Sequence, residues 1–248
     1  MKHTKFLLLA AITMMALFYS CNNADEKKDD AAKTDNAATE AAKTAEAATT
    51  PAPVKPENIL LIMHKVANYA KWLPVYESDD SVRTANGLSN FVIGRGMGKD
   101  SNTVLVALRM ADVAKAKALT GSAILKEKMK KGGVVGAPIS IEFLEPVMMD
   151  TNTNVSVNRV RITHKVKDWD AWKKEFDSHK QARIDAGLID RSVGHAIDDT
   201  HMVSLVFAIS DMAKAKAFMD SKDLKDKMAA AGVVGPPTIF YYSVAKKY

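Results

Sequence analysis

The 248-residue sequence contains a single cysteine, Cys21, so no disulfide can form within the chain. Its longest apolar run, from Phe6 to Tyr19 with Thr13 inside it, is about 14 residues and falls short of the roughly 20 that cross a bilayer core. A Gly-x-x-x-x-Gly-Lys-Ser/Thr phosphate loop is missing, and Gly132, Gly136, Gly232 and Gly235 precede strands instead of opening helices. His-x-His and His-Glu-x-x-His do not occur, and the histidines have no obvious carboxylate companion, so no metal site is expected. Met148, Met149 and the other methionines show no cofactor spacing. Basic, aromatic-rich strands and nucleic-acid motifs are also lacking. The lysines fall in Ala-Lys-Ala-Lys and Lys-Glu-Lys patterns, which mark a solvated helical face. Nucleic acid is therefore not an expected partner.

The N-terminus carries a processing signal. Lys2 and Lys5 form a short basic head, the apolar run follows, and Ser20 stands before Cys21. This arrangement resembles the lipobox of bacterial lipoproteins, although Phe18 stands where the commonest form has Leu. The resemblance implies a signal peptide over 1–20, lipid on Cys21, and a cell-envelope protein anchored to a membrane, the outer membrane by expectation. Residues 21–57 are rich in Ala, Thr, Lys, Asp and Glu, with Val54 as the one large aliphatic residue. Such a segment cannot bury enough apolar area to offset its ordering entropy, and it reads as a disordered tether. The formal charge of +6 loses Lys2 and Lys5, and the tether's five lysines against eight acids contribute −3, which leaves +7 for residues 58–248. A charge of that size suits attraction to an anionic membrane surface or an anionic ligand.

The remainder is a duplication. His64, Lys65, Val66, Trp72, Arg83, Gly87 and Leu88 recur as His164, Lys165, Val166, Trp172, Arg183, Gly187 and Leu188, at an offset of 100. Tyr69 and Tyr76 keep aromatic character as Trp169 and Phe176. From Asp112, matched by Asp211, the offset is 99, so one residue is lost in a loop. A Gly-Val-Val-Gly-x-Pro segment closes the match at 133–138 and 232–237. Each repeat is domain-sized, 58–148 and 155–248, too long for a solenoid unit.

Both repeats predict the same elements. Residues 57–66 and 157–166 read as strands. Residues 68–86 and 168–186 read as helices with aromatic side chains at helical spacing, stopped by Gly87 and Gly187. Pro74 predicts a late start or a kink in the first copy. Further strands follow at 88–97 and 102–110, matched by 191–197 and 201–209. A second helix is capped by Asp112 or Asp211, and a last strand covers 139–147 or 238–244. The order β-α-β-β-α-β is ferredoxin-like. The fold class is therefore α+β, with two tandem repeats packed sheet to sheet to cover their bare faces.

At this point the sequence resembles the dimeric α+β barrel superfamily, and within it the uncharacterised, cyclase-like relatives of the antibiotic-biosynthesis monooxygenases. The strand around His164, the helix 168–183 and the segment 231–237 carry the likeness, which covers roughly 58–245. It implies a barrel fused within one chain as a pseudo-dimer, with no obligate partner chain. Activity is implied poorly, because members include oxygenases, haem-degrading enzymes, cyclases and proteins without known activity. No cofactor is expected.

The resemblance also implies that any chemistry lies between helices and sheet within one copy. In the second copy Ile162, His164 and Val166 share a strand face, as do Val193, His195 and Ile197. Trp172, Phe176, His179 and Arg183 form one helical stripe. His164, His179 and His195 are the candidate catalytic residues, imidazoles able to move protons near neutral pH. Trp172, Phe176, Arg183 and Tyr242 are candidate ligand-binding residues, with His64 and Arg95 in the first copy. There Asp79 and Arg95 replace His179 and His195, and Asp79 with Arg83 reads as a surface ion pair. A strand histidine on an apolar face is ordinarily a core residue, and Trp72, Trp169 and Trp172 read as core. Two functions fit: a module that binds a small apolar or aromatic molecule or serves as a scaffold, and a cofactor-independent monooxygenase, cyclase or isomerase.

Overall fold

A computed structural model describes residues 55–248; the expected signal peptide, Cys21 and the expected tether as far as residue 54 lie outside the described residues. The first repeat runs β1 (Asn58–Val66), α1 (Tyr69–Ser78), α2 (Asp80–Ala85), β2 (Leu88–Gly96), β3 (Thr103–Met110), α3 (Val113–Gly121), α4 (Ala123–Lys131) and β4 (Val134–Met149). The second runs β5 (Asn158–Val166), α5 (Trp169–Ser178), α6 (Lys180–Asp185), β6 (Leu188–Ala196), β7 (Met202–Ile209), α7 (Met212–Asp220), α8 (Lys222–Ala230) and β8 (Val233–Lys247). None of the described helices is long and apolar enough to cross a membrane.

Strand order around the closed barrel is β1-β3-β2-β8-β5-β7-β6-β4. Each repeat thus contributes a ferredoxin-like sheet, and the two sheets face each other across a shared interior. The last strand of each repeat is long because it has two partners. Residues 134–144 pair with β1 and residues 144–149 with β6 of the other repeat. In β8, residues 233–243 pair with β5 and residues 242–247 with β2. These seams leave no open edge.

The helices depart from the sequence expectation. Each predicted helix is two. The first breaks at Asp79 in one repeat and at His179 in the other. Because the break recurs without a second proline, Pro74 is not its cause; α1 starts at Tyr69 just as α5 starts at Trp169. At each break a buried arginine takes the freed carbonyl: Arg83 Nη1 donates to Tyr76 O at 2.7 Å and Arg183 Nη1 to Phe176 O at 2.5 Å. The second helix breaks at Ser122 and Ser221, whose hydroxyls accept from the amides of Leu125 and Leu224 and so cap a new helix.

The repeated Gly-Val-Val-Gly-x-Pro segment does two jobs. Gly133 and Gly232, at φ 74° and 82°, turn the chain out of the helix. The strand begins at once with the two valines, and then Gly136 and Gly235, both at φ 72°, open a bulge. Pairing jumps from Lys65–Val135 to Met63–Ser140, and from Lys165–Val234 to Thr163–Thr238. The residue facing each bulge is His64 or His164.

Two kinds of core result from strand alternation. On the helix side, Leu60, Ile62, Trp72, Ile93 and Val106 pack in the first repeat and Val160, Trp172, Val193, Leu205 and Phe207 in the second. Between the sheets lie Ile59, Leu61, Met63, Leu105, Ala107, Leu144, Phe240 and Tyr242.

Candidate functional site

On the helix side of the second repeat, His164 sits edge-on to Trp172 with ring centroids 5.4 Å apart, and Trp172 stacks on Phe176 at 5.1 Å. His164, Trp172, Phe176, His179 and Arg183 line one cavity of about 90 Å³. Both ring nitrogens of His164 are buried without a hydrogen-bond partner, and burial pushes its pKa down to about 4. His179 reaches the cavity from the break between α5 and α6. Arg183 is engaged elsewhere: Nε and Nη2 bind Asp190 on β6 at 2.8 Å each, and the guanidinium lies 3.6 Å from the Phe176 ring centre. It clamps the helix break to the sheet.

His195 does not join this group. It stands edge-on to Trp169 at 4.7 Å, with Nδ1 3.0 Å from the carbonyl of Ala196, and does not line the His164 cavity. Trp169 and Trp172 stand between the two imidazoles, 5.3 Å from each other. Tyr242 is a clear correction. Register pairs Val160 with Tyr241 and Arg159 with Tyr242. Val160 faces the helices, so Tyr241 is the residue packed there and Tyr242 points into the barrel interior.

The first repeat repeats the plan without the second histidine. His64 lies 5.6 Å from Trp72, has both ring nitrogens unpartnered, and is likewise held at about 4 by burial. It lines a cavity of about 80 Å³. Arg95 sits over Tyr69 at 5.1 Å and donates Nε to Ser101 O at 2.7 Å. Asp79 does not pair with Arg83. It binds Lys128 at 2.6 Å, while Arg83 pairs with Asp80 at 3.2 Å.

A cavity larger than either helix-side one lies in the barrel interior, away from the sequence-predicted histidines. This cavity, of about 310 Å³, lies between the two sheets, walled by Ile59, Leu61, Leu105, Ala107, Leu144 and Val206 and by the inter-repeat residues Asp150, Thr151 and Thr153. Its polar lining comes from Arg109, Arg159, Arg191, Ser192, Ser204, Tyr242 and Lys247. Arg191 is paired with Asp150, and Arg109 with Glu57 at 3.2 Å. Tyr242 is seated so closely over Gly94 that any Cβ there would overlap its ring. Burial pushes the Tyr242 phenol up to about 12, against the opposing pull of Arg159, Arg161 and Arg191.

A signal for these residues was present in the sequence. At the offset of 100, Arg159 and Arg161 replace Ile59 and Leu61. They alternate with Val160 and Ile162, so they must face away from the helices. Among the described residues no cluster of three or more His, Cys, Asp or Glu side chains is placed to hold a metal ion.

No protein-family model matches the chain, and no curated protein matches it. Solved structures share its fold at low identity. A candidate monooxygenase from Fusobacterium nucleatum superposes with a TM-score of 0.51 at 12% identity, over 78% of this chain and 94% of the other. An anthrone oxidase-like protein does so with 0.52 at 13% identity, over 77% and 92%. A candidate chlorite dismutase gives 0.50 at 15% identity, over 77% and 96%. What these proteins share with the chain is the α+β barrel.

Proposed function

We propose that this protein is a small-molecule-binding barrel, tethered to a bacterial envelope membrane through lipid on Cys21, whose ligand sits between the two sheets. The observation that carries the reading is the interior cavity of about 310 Å³, lined by apolar side chains together with charged and polar ones. Ligand sites begin at about 300 Å³. The helix-side cavities, at about 80 and 90 Å³, are far below that size. A purely structural scaffold has no need of an unfilled interior, since voids weaken a core. The anchoring rests on the pattern from Lys2 to Cys21.

Calorimetric titration with 1-naphthol, a neutral probe with an aromatic body, tests the site. One probe is expected to bind per chain, with a negative heat-capacity change from apolar burial. Ala107→Phe fills the cavity from its apolar wall and is expected to abolish that binding. Undiminished binding to Ala107→Phe would move the ligand out of the barrel interior.

The second reading is a cofactor-independent oxygenase, or a cyclase or isomerase, using His164 with His179 or His195. It draws on the fold shared with a candidate monooxygenase and on His164 and His179 lining one cavity. Two features weigh against it. At about 30 Å³ for each water-sized group, the 90 Å³ cavity holds about three. A histidine whose conjugate acid titrates at about 4 is also a weak base at neutral pH.

A further inference from the structure

We infer that the interior cavity takes an amphiphilic monoanion, a carboxylate on an apolar body, with Arg159 as the group that reads the head. The inference rests on the barrel being a binding protein and adds the class of ligand. Arg159 is 3% exposed and lines the cavity. Its Nη1 donates to the backbone carbonyls of Ser156 and Asn158. Among the described residues no carboxylate lies within ion-pair distance of it, and no acceptor takes its Nε or Nη2.

The neighbouring cations differ in this respect. Arg161, two residues on along the same strand face, is neutralised by Glu142. Arg191 has Asp150 and Arg109 has Glu57. Lys247, the remaining cation of the lining, is exposed. Asp150 acts on Arg159 from beyond contact but is ion-paired with Arg191, so Arg159 is the buried cation with no carboxylate of its own, a state that is costly to maintain. The first repeat shows that the fold does not require it, because Ile59 occupies the matching position.

A carboxylate suits the vacant donors of a planar guanidinium, which bind it in a bidentate fork. One uncompensated charge calls for one negative charge. The ligand's body would lie along Ile59, Leu61, Leu105 and Val206, which line the same cavity. A volume of about 310 Å³ corresponds to roughly ten water-sized groups, and so to a ligand of about ten non-hydrogen atoms.

The test compares octanoate with octanamide, its neutral analogue of equal size, by calorimetry on the purified full chain at neutral pH. Octanoate is expected to bind at least about tenfold more tightly, the scale of hydrogen bonds to a charged group. Arg159→Met is expected to erase that advantage and leave octanamide binding in place. Equal affinity for the two probes in the unaltered chain overturns the inference and leaves the barrel a binding protein. An advantage that persists in Arg159→Met also overturns it. If neither octanoate, octanamide nor 1-naphthol binds, the binding reading itself falls. The acid–amide comparison needs no variant, so it decides the matter even if Arg159→Met fails to fold.

Discussion

His64 and His164 occupy one position in two repeats, each against a tryptophan and each with both ring nitrogens buried and unpartnered. The charged groups around them are Asp79, Arg83 and Lys128 in the first cavity, and Glu175, Arg183 and Lys227, with His179, in the second. None of these offsets the effect of burial, which takes each imidazole from 6.5 to about 4. In the folded state both rings stay neutral until about pH 4, whereas in the unfolded chain they take up protons below 6.5. Their contribution is thus intact above pH 6.5 and is lost as pH falls from 6.5 toward 4. The loss amounts to about 3 kcal/mol for each histidine at the acid end. Urea midpoints are expected to fall across this window in the unaltered chain, and the double variant His64→Phe/His164→Phe is expected to flatten the fall. An equally steep fall in the variant would assign the acid sensitivity to carboxylates. Repetition marks this pair in the sequence, since both follow an apolar strand and precede Lys-Val. That the imidazoles lack partners depends on what faces them, and each faces the widest bulge of its sheet.

At the scale of elements, the β-α-β-β-α-β order and the caps Asp112 and Asp211 are legible from periodicity and local chemistry. The break in the first helix is not. It depends on Arg183 bonding a carbonyl seven residues back while Asp190, on a different element, holds its fork. Neither partner is local in the helical pattern. The glycine positions separate two kinds of constraint. Gly235, at φ 72°, has nothing within 4 Å of where a Cβ would sit. Gly187, at φ 74°, would set a Cβ 2.9 Å from both Cβ and N of Asp211. Gly235→Ala is expected to cost about 1–2 kcal/mol from backbone strain alone. Gly187→Ala adds overlap with a helix cap and is expected to cost at least about 1 kcal/mol more. Equal losses in denaturant unfolding would mean that the helix cap yields freely and that the contact carries no constraint.

At the scale of the molecule, duplication followed by divergence has produced a barrel with two similar outer layers and an unequal interior. The outer layers keep their histidine–tryptophan pairs. The inner faces differ: β1 presents Ile59 and Leu61, whereas β5 presents Arg159 and Arg161. Substitution at these positions can be seen by aligning the repeats, but its meaning depends on which strands meet across the interior. That is set by the β2–β8 and β4–β6 seams, where residues about 150 and about 50 apart in sequence, respectively, become neighbours. Register also decides the side on which Tyr242 lies: strand parity alone places it with the histidines, whereas its pairing with Arg159 turns it into the interior. An interior lined by both apolar and charged side chains, inside one closed barrel, is a property of the assembled whole.

The claim that this interior is the binding site is tested most directly by a crystal structure of the chain grown with 1-naphthol. The probe is expected between the two sheets, touching Leu105, Ala107 and Val206. A probe lodged between α5 and β5, against His164 and Trp172, would contradict it and return the site to the helix side.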